Sequence, residues 1–320
     1  MSTSISKPTS ESPPVRHLVT LFDVHKEEVV EIFRIARVLK EAFQRGERHA
    51  YLPGRVLGLL FQKQSLRTRV SFESGIAHLG GCSLFLGQDV GWGDRESIAD
   101  FAAVLSQFVD IIVCRANSHK RVTELAEFST CPVVNGLTDL SHPCQALADL
   151  FTVEEAFGSL AGSTLAYVGD GNNVAASLAL VCGLLNVELR VASPTGYELP
   201  DSFLEQVRNH AGSTRLALTN DPHEAVRGAN IVYTDVWTSM GQESEEDRRK
   251  QDFANYQVNA DLMKLADRDA RFLHCLPARR GEEVTADVID GPNSLVVEQA
   301  ANRMHAQKGL MAWLLNAEVV

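Results

Sequence analysis

The sequence predicts an α/β protein with two doubly wound, parallel-sheet domains that helices connect. Length is the first observation, because 320 residues suit two domains of ordinary size with substantial cores. Order is the second: short apolar segments typical of buried strands alternate with segments of helical periodicity. The third is a change of composition at residues 158–163. We therefore expect a first domain over residues 16–157 and a second over residues 158–291.

Composition narrows the partners and the compartment. The formal net charge of -11 argues against nucleic acid as a partner, because a phosphate backbone requires a basic surface. The six cysteines are scattered and form no CxxC pair, which favours reduced thiols in a cytoplasm and predicts neither a metal site nor a disulfide framework. No apolar run reaches membrane-spanning length, and the N-terminus lacks a signal-peptide core, so we expect no membrane association.

The N-terminal residues 1–15 are predicted to be a disordered tail, because Ser, Thr and Pro dominate them. A transit peptide is the alternative, and Glu11 together with the scarcity of Arg argues against it. The first domain then begins with a helix over about Lys26–Arg45, whose apolar residues lie on one face.

The most informative stretch of the first domain is Phe61–Gly81. An apolar strand, Arg55–Phe61, leads through a polar loop into a helix that ends at two glycines. The polar residues of the loop are Ser65, Arg67, Thr68 and Arg69. Free N–H groups at a helix N-terminus, two guanidiniums and two hydroxyls suit a doubly charged anion such as phosphate. An ordinary N-cap followed by a solvated basic turn is the alternative.

Three further elements of the first domain follow in order. A strand at Cys82–Leu86 precedes a Gly-rich polar loop, residues 87–95, which we expect to be mobile. A helix over about Glu96–Phe108 then leads into the buried strand Ile111–Cys114, which ends at Arg115. Ligands bind at the carboxyl ends of strands in such sheets, so Arg115 is a candidate binding residue. A surface arginine at a strand exit is the alternative.

The last strand of the first domain, Cys131–Asn135, leads to the run HPCQALAD at residues 142–149. Pro143 fits the first turn of a helix, which places His142 and Gln145 around one turn. This pair could donate hydrogen bonds to a carbonyl or an oxyanion, or could simply cap the helix.

The second domain opens with a strand at Thr164–Gly169 and a turn, GDGNNV, that leads into a helix. This arrangement is similar to a dinucleotide site, but the third glycine is missing and no acidic residue ends the next strand, Glu188–Ala192. We therefore expect no NAD and no other cofactor. Asn172 and Asn173 at the helix N-terminus could instead hold a carboxylate.

The remaining predicted elements continue the alternation of strands and helices. They are helices at 201–211 and 222–226 and strands at 215–218, 231–234 and 272–273. The charged run Glu243–Lys250 is predicted to be a solvated helix face and not part of a site. An amphipathic helix over Asn293–Leu315 carries Arg303 and His305.

Several of these motifs resemble those of the aspartate and ornithine carbamoyltransferases. SLRTR at residues 65–69 resembles the carbamoyl-phosphate signature Ser-Thr-Arg-Thr-Arg, with Leu66 in place of the usual Thr. HPCQALAD matches the family pattern almost residue for residue. The SMG run after Asp235-Val236-Trp237, and HCLP at residues 274–277, resemble the ornithine branch. The resemblance extends from His17 to Leu315.

The resemblance implies transfer of a carbamoyl group from carbamoyl phosphate to L-ornithine in arginine biosynthesis, or the reverse reaction in catabolism. The implied carbamoyl phosphate-binding residues are Ser65, Leu66, Arg67, Thr68, Arg115, His142, Gln145 and Arg303. The implied catalytic residues are Arg115, His142, Gln145, Cys275 and Arg303. The implied ornithine-binding residues are Asn173, Asp235, Ser239, Met240, Cys275 and Leu276. No metal and no cofactor are implied.

The resemblance also implies an assembly and a returning C-terminus. Family members form homotrimers, and Gly91 and Trp92 are expected in a loop that closes a neighbouring subunit's site. Residues 292–320 are expected to form a helix that packs back on the first domain. A transferase for succinyl- or acetylornithine is one alternative, because Leu66 and Trp92 resemble features of those enzymes. A non-catalytic phosphate-binding paralogue is the other. The second-domain motifs favour free ornithine.

Overall fold

The computed structural model describes residues 15–93, 95–212, 215–239 and 242–320. The predicted disordered tail, apart from Val15, and the predicted ornithine contact Met240 lie outside the described residues. Within those residues, no helix is both long enough and apolar enough to cross a membrane.

The first sheet contains four parallel strands in the order β2-β1-β3-β4. Its strands are β1 Val56–Phe61, β2 Cys82–Leu86, β3 Ile111–Arg115 and β4 Val133–Leu137. Its helices are α1 Lys26–Gln44, α2 Leu66–His78, α3 Ile98–Leu105, α4 His119–Phe128 and α5 Pro143–Phe157. The central strands β1 and β3 are buried almost throughout, which is why their sequences are continuous apolar runs.

The second sheet contains five parallel strands in the order β7-β6-β5-β8-β9. Its strands are β5 Thr164–Val168, β6 Glu188–Ala192, β7 Leu216–Thr219, β8 Ile231–Thr234 and β9 Arg271–His274. The helices that follow β5 are α6 Asn173–Leu185, α7 Asp201–Ala211, α8 Pro222–Val226, α9 Glu246–Asp252, α10 Ala260–Met263, α11 Ala286–Ile289 and α12 Val296–Leu314. In both sheets the strand order reverses at the first strand, which creates a crevice where ligands bind in such folds.

The C-terminal helix α12 returns to the first domain and packs against α1, α2 and α5. Gly309 permits the close crossing with α1, because a Cβ added there would lie 2.5 Å from the carbonyl oxygen of Ile32. The crossing fixes Arg303, two turns earlier on α12, at the carboxyl edge of the first sheet. The fold class predicted from the sequence, including this returning helix, is therefore confirmed.

One helix of the first domain was not predicted from the sequence. Helix α4 has the sequence HKRVTELAEF, and only Val122, Leu125 and Ala126 are buried in it. Four apolar residues in a ten-residue segment form too short a periodic run to distinguish a helix from a loop by pattern alone.

Candidate active site

A cleft of about 1020 Å³ lies between the two sheets, at the carboxyl ends of their central strands. Every described residue that the sequence assigned to carbamoyl phosphate or to ornithine lines this cleft. The first domain contributes the N-termini of α2 and α5 and the end of β3. The second domain contributes the N-terminus of α6 and the loops after β8 and β9. Segments far apart in the chain thus meet in one space of ligand size.

The predicted anion loop is the start of helix α2. Ser65 is the N-cap, and its Oγ accepts a hydrogen bond from the Thr68 backbone N–H at 3.3 Å. Leu66 is the first helical residue, and it is 74% exposed at the cleft. Arg69 points elsewhere, because it pairs with Glu73 and lies over the Phe85 ring. Of the two guanidiniums that the sequence placed in this loop, only Arg67 therefore faces the cleft.

Three guanidiniums converge on the first-domain side of the cleft. Arg67 reaches across it and donates from Nη2 to the Leu276 carbonyl oxygen at 2.7 Å. Burial, followed by the nearby charges of Arg303 and Arg67, lowers the pKa of Arg115 to about 10. The Nε atoms of Arg115 and Arg303 are buried and have no hydrogen-bond partner among the described residues. Repelling cations with unmet donors form a site that an anion stabilises.

His142 adds a neutral donor to this group of cations. It is buried at the N-cap of α5, where its backbone N–H donates to Ser177 Oγ at 2.8 Å. Burial, and then the charges of Arg303, Arg115 and Arg67, hold the pKa of the imidazole well below its ordinary value of 6.5. The ring is therefore uncharged at neutral pH.

Gln145 and Arg303 form one hydrogen-bonded unit. Arg303 donates from Nη1 to Gln145 Oε1 at 2.9 Å and from Nη2 to Thr68 Oγ1 at 3.1 Å. Gln145 in turn donates from Nε2 to Asp149 Oδ1 at 2.8 Å. The unit links α2, α5 and α12, so that the predicted carbamoyl residues hold one another in place.

The second-domain side of the cleft is organised around Asp235, which follows β8 and is buried. Its Oδ1 accepts from the Cys275 thiol at 2.9 Å and from the Val236 N–H at 2.8 Å. Its Oδ2 accepts from Asn172 Nδ2 at 2.9 Å. The carboxylate therefore already has three donors, and an ammonium group of a ligand would share or replace them.

Asn172 and Asn173 lie at the N-terminus of α6, but their side chains make different contacts. Asn172 caps the helix, because its Oδ1 accepts from the backbone N–H groups of Val174 and Ala175. Its amide nitrogen also donates to Asp235, so Asn172 is already bonded within its own domain, and its binding of a carboxylate stays a prediction. Asn173 lines the cleft and donates to the Thr138 carbonyl oxygen at 2.6 Å. Ser239 lies nearby at the cleft wall.

Cys275 is held as a neutral thiol. Burial, and then the adjacent charge of Asp235, raise the pKa of Cys275 well above its ordinary range. Asp235, His274 and Cys275 bring potential metal ligands within 4.8 Å of one another. His274 Nδ1 already accepts the Leu276 N–H at 2.8 Å, and the thiol donates to Asp235. These atoms are therefore engaged in bonds within the chain.

Arg249 was missed from the sequence, which predicted a solvated face for its segment. It is only 5% exposed, and its Nη1 donates to Asp170 Oδ2 at 2.8 Å and to the Trp237 carbonyl oxygen at 2.9 Å. Within the charged run no pattern distinguishes it from its neighbours. The available signal was Asp170, an acidic residue directly after a buried strand, where burial requires a partner cation.

The predicted role of Trp92 as a lid concerns a neighbouring subunit's site and stays a prediction, while within its own subunit the side chain points inward. The indole is 4% exposed and packs in a cluster of its own domain with residues such as Ile98 and Val122. The guanidinium of Arg121 lies 5.7 Å from the ring centre. A large apolar ring gains more from burial than from projecting into solvent, which explains its inward position. Gly91 precedes it with a left-handed φ of 65°.

Comparisons with known proteins agree with the site. The family model described as "Aspartate/ornithine carbamoyltransferase, carbamoyl-P binding domain" matches residues 16–155. The model described as "Aspartate/ornithine carbamoyltransferase, Asp/Orn binding domain" matches residues 161–314. Both halves of the cleft thus fall within matched regions.

Individual relatives match along nearly the whole chain. The chain is 50% identical to "Ornithine carbamoyltransferase" of Anoxybacillus flavithermus over 304 residues, which cover 94% of this chain and 96% of that protein. It is 49% identical to the Bacillus subtilis protein of the same name, with 94% of each covered. The solved structure of ornithine carbamoyltransferase from Pyrococcus furiosus superimposes with a TM-score of 0.90 at 48% identity, covering 95% of this chain and 98% of that one.

Proposed function

The chain belongs to the aspartate/ornithine carbamoyltransferase family, and we propose that it transfers the carbamoyl group of carbamoyl phosphate to L-ornithine, giving L-citrulline and phosphate. One observation carries the proposal. A cleft lined by both domains has three converging arginines on one wall and a buried carboxylate, Asp235, on the other. This arrangement suits a dianionic donor facing an acceptor that carries an ammonium group.

The phosphate would bind at the start of α2. The first N–H groups of this helix have no partner within the helix, and the helix dipole favours an anion there. Ser65, Arg67 and Thr68 surround this point, and Leu66 offers its backbone N–H. Arg67 would exchange the Leu276 carbonyl for the phosphate, which is a stronger, charge-assisted partner.

The carbamoyl oxygen would meet Arg115, His142 and Gln145, with Arg303 behind Gln145. Attack by the ornithine δ-amine builds negative charge on that oxygen, so donors that are already fixed lower the barrier. A neutral His142 can donate without adding a fourth cation. The neutral substrate amine attacks the carbamoyl carbon directly. The phosphate leaves with the electrons of the C–O bond and takes up the proton that the nitrogen loses, so that the protein supplies position and electrostatics.

The acceptor would lie against the second domain. Asp235 and Ser239 would bind the α-ammonium, while Asn173 and the N-terminus of α6 would bind the carboxylate. Met240 is proposed for the carboxylate on the resemblance alone. Cys275 and the Leu276 carbonyl would border the δ-amine, with Cys275 acting as an uncharged neighbour and not as a nucleophile.

The substrate is tested by citrulline formation with a panel of amines. Purified protein is incubated with carbamoyl phosphate and ornithine, acetylornithine, succinylornithine, putrescine or aspartate. We expect ornithine to give the highest kcat/KM, because putrescine lacks the carboxylate and the acylated amines cannot present an α-ammonium to Asp235. A preference for an acylated ornithine would reassign the substrate. Phosphate binding without turnover of any amine would indicate a non-catalytic paralogue.

We also propose a homotrimer in the cytoplasm, acting in the biosynthetic direction. Leu84 and Phe85 are exposed on β2, an edge strand of the first sheet, and Val70 is exposed on the adjoining α2. An apolar sheet edge of this kind favours association. The loop containing Gly91 follows β2 and would lie at that interface. All six cysteines are free, which supports a reducing compartment. The Pyrococcus furiosus relative is named anabolic.

The assembly is tested by the mass in solution. We expect light scattering after size-exclusion chromatography to give three times the chain mass of 35.1 kDa for the native protein. Phe85→Asp should lower that mass, whereas Phe108→Asp, which alters an exposed phenylalanine of the same domain after α3, serves as the control. A native protein that elutes with the mass of one chain would contradict the trimer.

A further inference from the structure

A fully buried carboxylate, Asp149, lies one helical turn after Gln145 on α5. Its Oδ1 accepts from Gln145 Nε2 at 2.8 Å and from Gln299 Nε2 at 2.6 Å. Its Oδ2 accepts from the Tyr233 hydroxyl at 3.1 Å. The donors come from α5, α12 and β8, so both domains contribute. The proposed substrate contacts do not include this residue.

The two neighbours of Gln145 permit only one orientation of its amide. Arg303 can only donate, so it must face the amide oxygen, and the observed Nη1–Oε1 distance is 2.9 Å. An ionised Asp149 can only accept, so it must face the amide nitrogen. A flipped amide would place NH₂ against a guanidinium and oxygen against a carboxylate. The enforced orientation leaves one N–H of Gln145 unassigned, and this is the donor that the carbamoyl oxygen requires.

We propose that Asp149 is a positioning residue for carbamoyl transfer, whose carboxylate fixes the Gln145 amide and, through it, the Arg303 guanidinium. The inference rests on the proposed function. Asp149 would act without contacting the substrate. The orientation of the oxyanion donors would then depend on whether the Asp149 carboxyl is ionised.

The surroundings of Asp149 determine when it is ionised. Arg303 on α12 is the cation that acts on it, while Cys182, Cys275 and Tyr233 interact with it from α6, the loop after β9 and β8. Burial raises the pKa of each thiol and of the phenol, which keeps all three neutral. Burial also raises the pKa of Asp149 to about 6, against its three hydrogen bonds, which lower it.

The direction of the pH effect follows from that raised pKa. Above pH 6 the carboxylate is ionised and the amide is fixed. Below it the protonated carboxyl can donate as well as accept, so Asp149 no longer opposes the flipped amide and only Arg303 still does. With both substrates saturating, kcat should therefore fall as the pH is lowered through about 6.

The test compares kcat between pH 5 and 8 for the native protein and for Asp149→Asn. This change is nearly isosteric. The asparagine side chain can both donate and accept a hydrogen bond, so it can face either orientation of the Gln145 amide. We expect kcat at pH 8 to fall about 10²-fold, as when one oxyanion donor is lost. The acid limb near pH 6 should disappear, and KM for carbamoyl phosphate should change only a few-fold because Arg67 and Arg115 remain.

A control and a double variant separate positioning from general damage. The control is Thr152→Val, three residues after Asp149 on α5. It removes a buried hydroxyl that accepts a hydrogen bond from Asn302 on α12, and it should leave the acid limb in place. If Asp149 acts through Gln145, Asp149→Asn should cost nothing further in a Gln145→Ala background. Native kcat, a retained acid limb or fully additive losses in the double variant would each overturn the inference.

A second variant covers the case in which Asp149→Asn does not fold. Tyr233→Phe removes one hydrogen bond that stabilises the carboxylate, so the acid limb should move to higher pH while kcat at pH 8 is retained. An unmoved limb would overturn the inference. A native protein that forms no citrulline from ornithine would instead overturn the proposed function, and the inference with it.

Discussion

The wall of the cleft built from α2, β3, α5 and α12 carries cations with unmet donors, whereas the opposite wall carries polar groups that bind one another. Arg115 and Arg303 each keep a buried N–H without a partner among the described residues. Across the cleft, Asp235 accepts three hydrogen bonds from its own chain. The first wall is therefore prepared for an anion, while the second must exchange bonds when a ligand enters.

The difference indicates where each wall obtains its stability. Like charges on the first wall destabilise it until an anion binds. Internal pairs such as Arg249 with Asp170 stabilise the second wall without any ligand. Substitution of the first-wall cations should accordingly affect binding and turnover, whereas substitution of an internal pair of the second wall should affect folding.

The largest expected effect on folding stability concerns the second wall. Arg249→Met should lower the free energy of unfolding by about 3 kcal/mol, because it leaves the buried Asp170 without its cation. This value is the lower end of the usual cost of breaking a buried ion pair, because the second acidic partner of Arg249, Glu245, is largely solvated. Arg248→Met is the control, since that side chain is 77% exposed. Equal urea midpoints for the two variants would contradict the comparison.

Turnover on the first wall should be the next most sensitive property. Gln145→Ala should lower kcat about 10²–10³-fold, because one oxyanion donor is lost without any change of charge. Its midpoint of thermal unfolding should change less than that of Arg249→Met. The measurement is steady-state citrulline formation at saturating substrates, and an unchanged kcat would remove Gln145 from the oxyanion group.

The next effect in size concerns the affinity of the first wall for carbamoyl phosphate. Arg67→Ala should weaken carbamoyl phosphate binding by on the order of 2–3 kcal/mol, because one charge-assisted contact to the phosphate is lost. Titration calorimetry measures this directly. Arg69→Ala is the matched control, since Arg69 belongs to the same loop but pairs with Glu73. Equal binding constants for the two variants would refute the assignment of Arg67.

The smallest effect concerns the departure from the family signature at Leu66. Its exposed side chain can be replaced without opening a cavity. Leu66→Thr should tighten carbamoyl phosphate binding by roughly 0.5–1.5 kcal/mol, about tenfold at most, because a hydroxyl adds one hydrogen bond near the phosphate. A weaker or unchanged affinity in the same titration would show that the hydroxyl does not reach the ligand.

The sequence predicted the first wall better than the second for a physical reason. Helix starts, strand ends and the spacing of His142 and Gln145 are local, and local patterns place Arg115 and the anion loop at one sheet edge. Partner choice on the second wall is not local. Arg249 pairs with Asp170, which lies 79 residues away in the chain, and Asn172 caps the N-terminus of its own helix. The inward packing of Trp92 likewise depends on tertiary contacts.

The central claim is that the two walls bind the two halves of one reacting pair. A crystal structure with a bisubstrate analogue, in which a phosphonoacetyl group is joined to the δ-nitrogen of ornithine, tests it most directly. We expect the phosphonate at Arg67 and the start of α2, the acyl oxygen within hydrogen-bond distance of Arg115, His142 and Gln145, and the α-ammonium at Asp235. An analogue bound in the reverse direction, or with those three side chains pointing apart, would contradict the account.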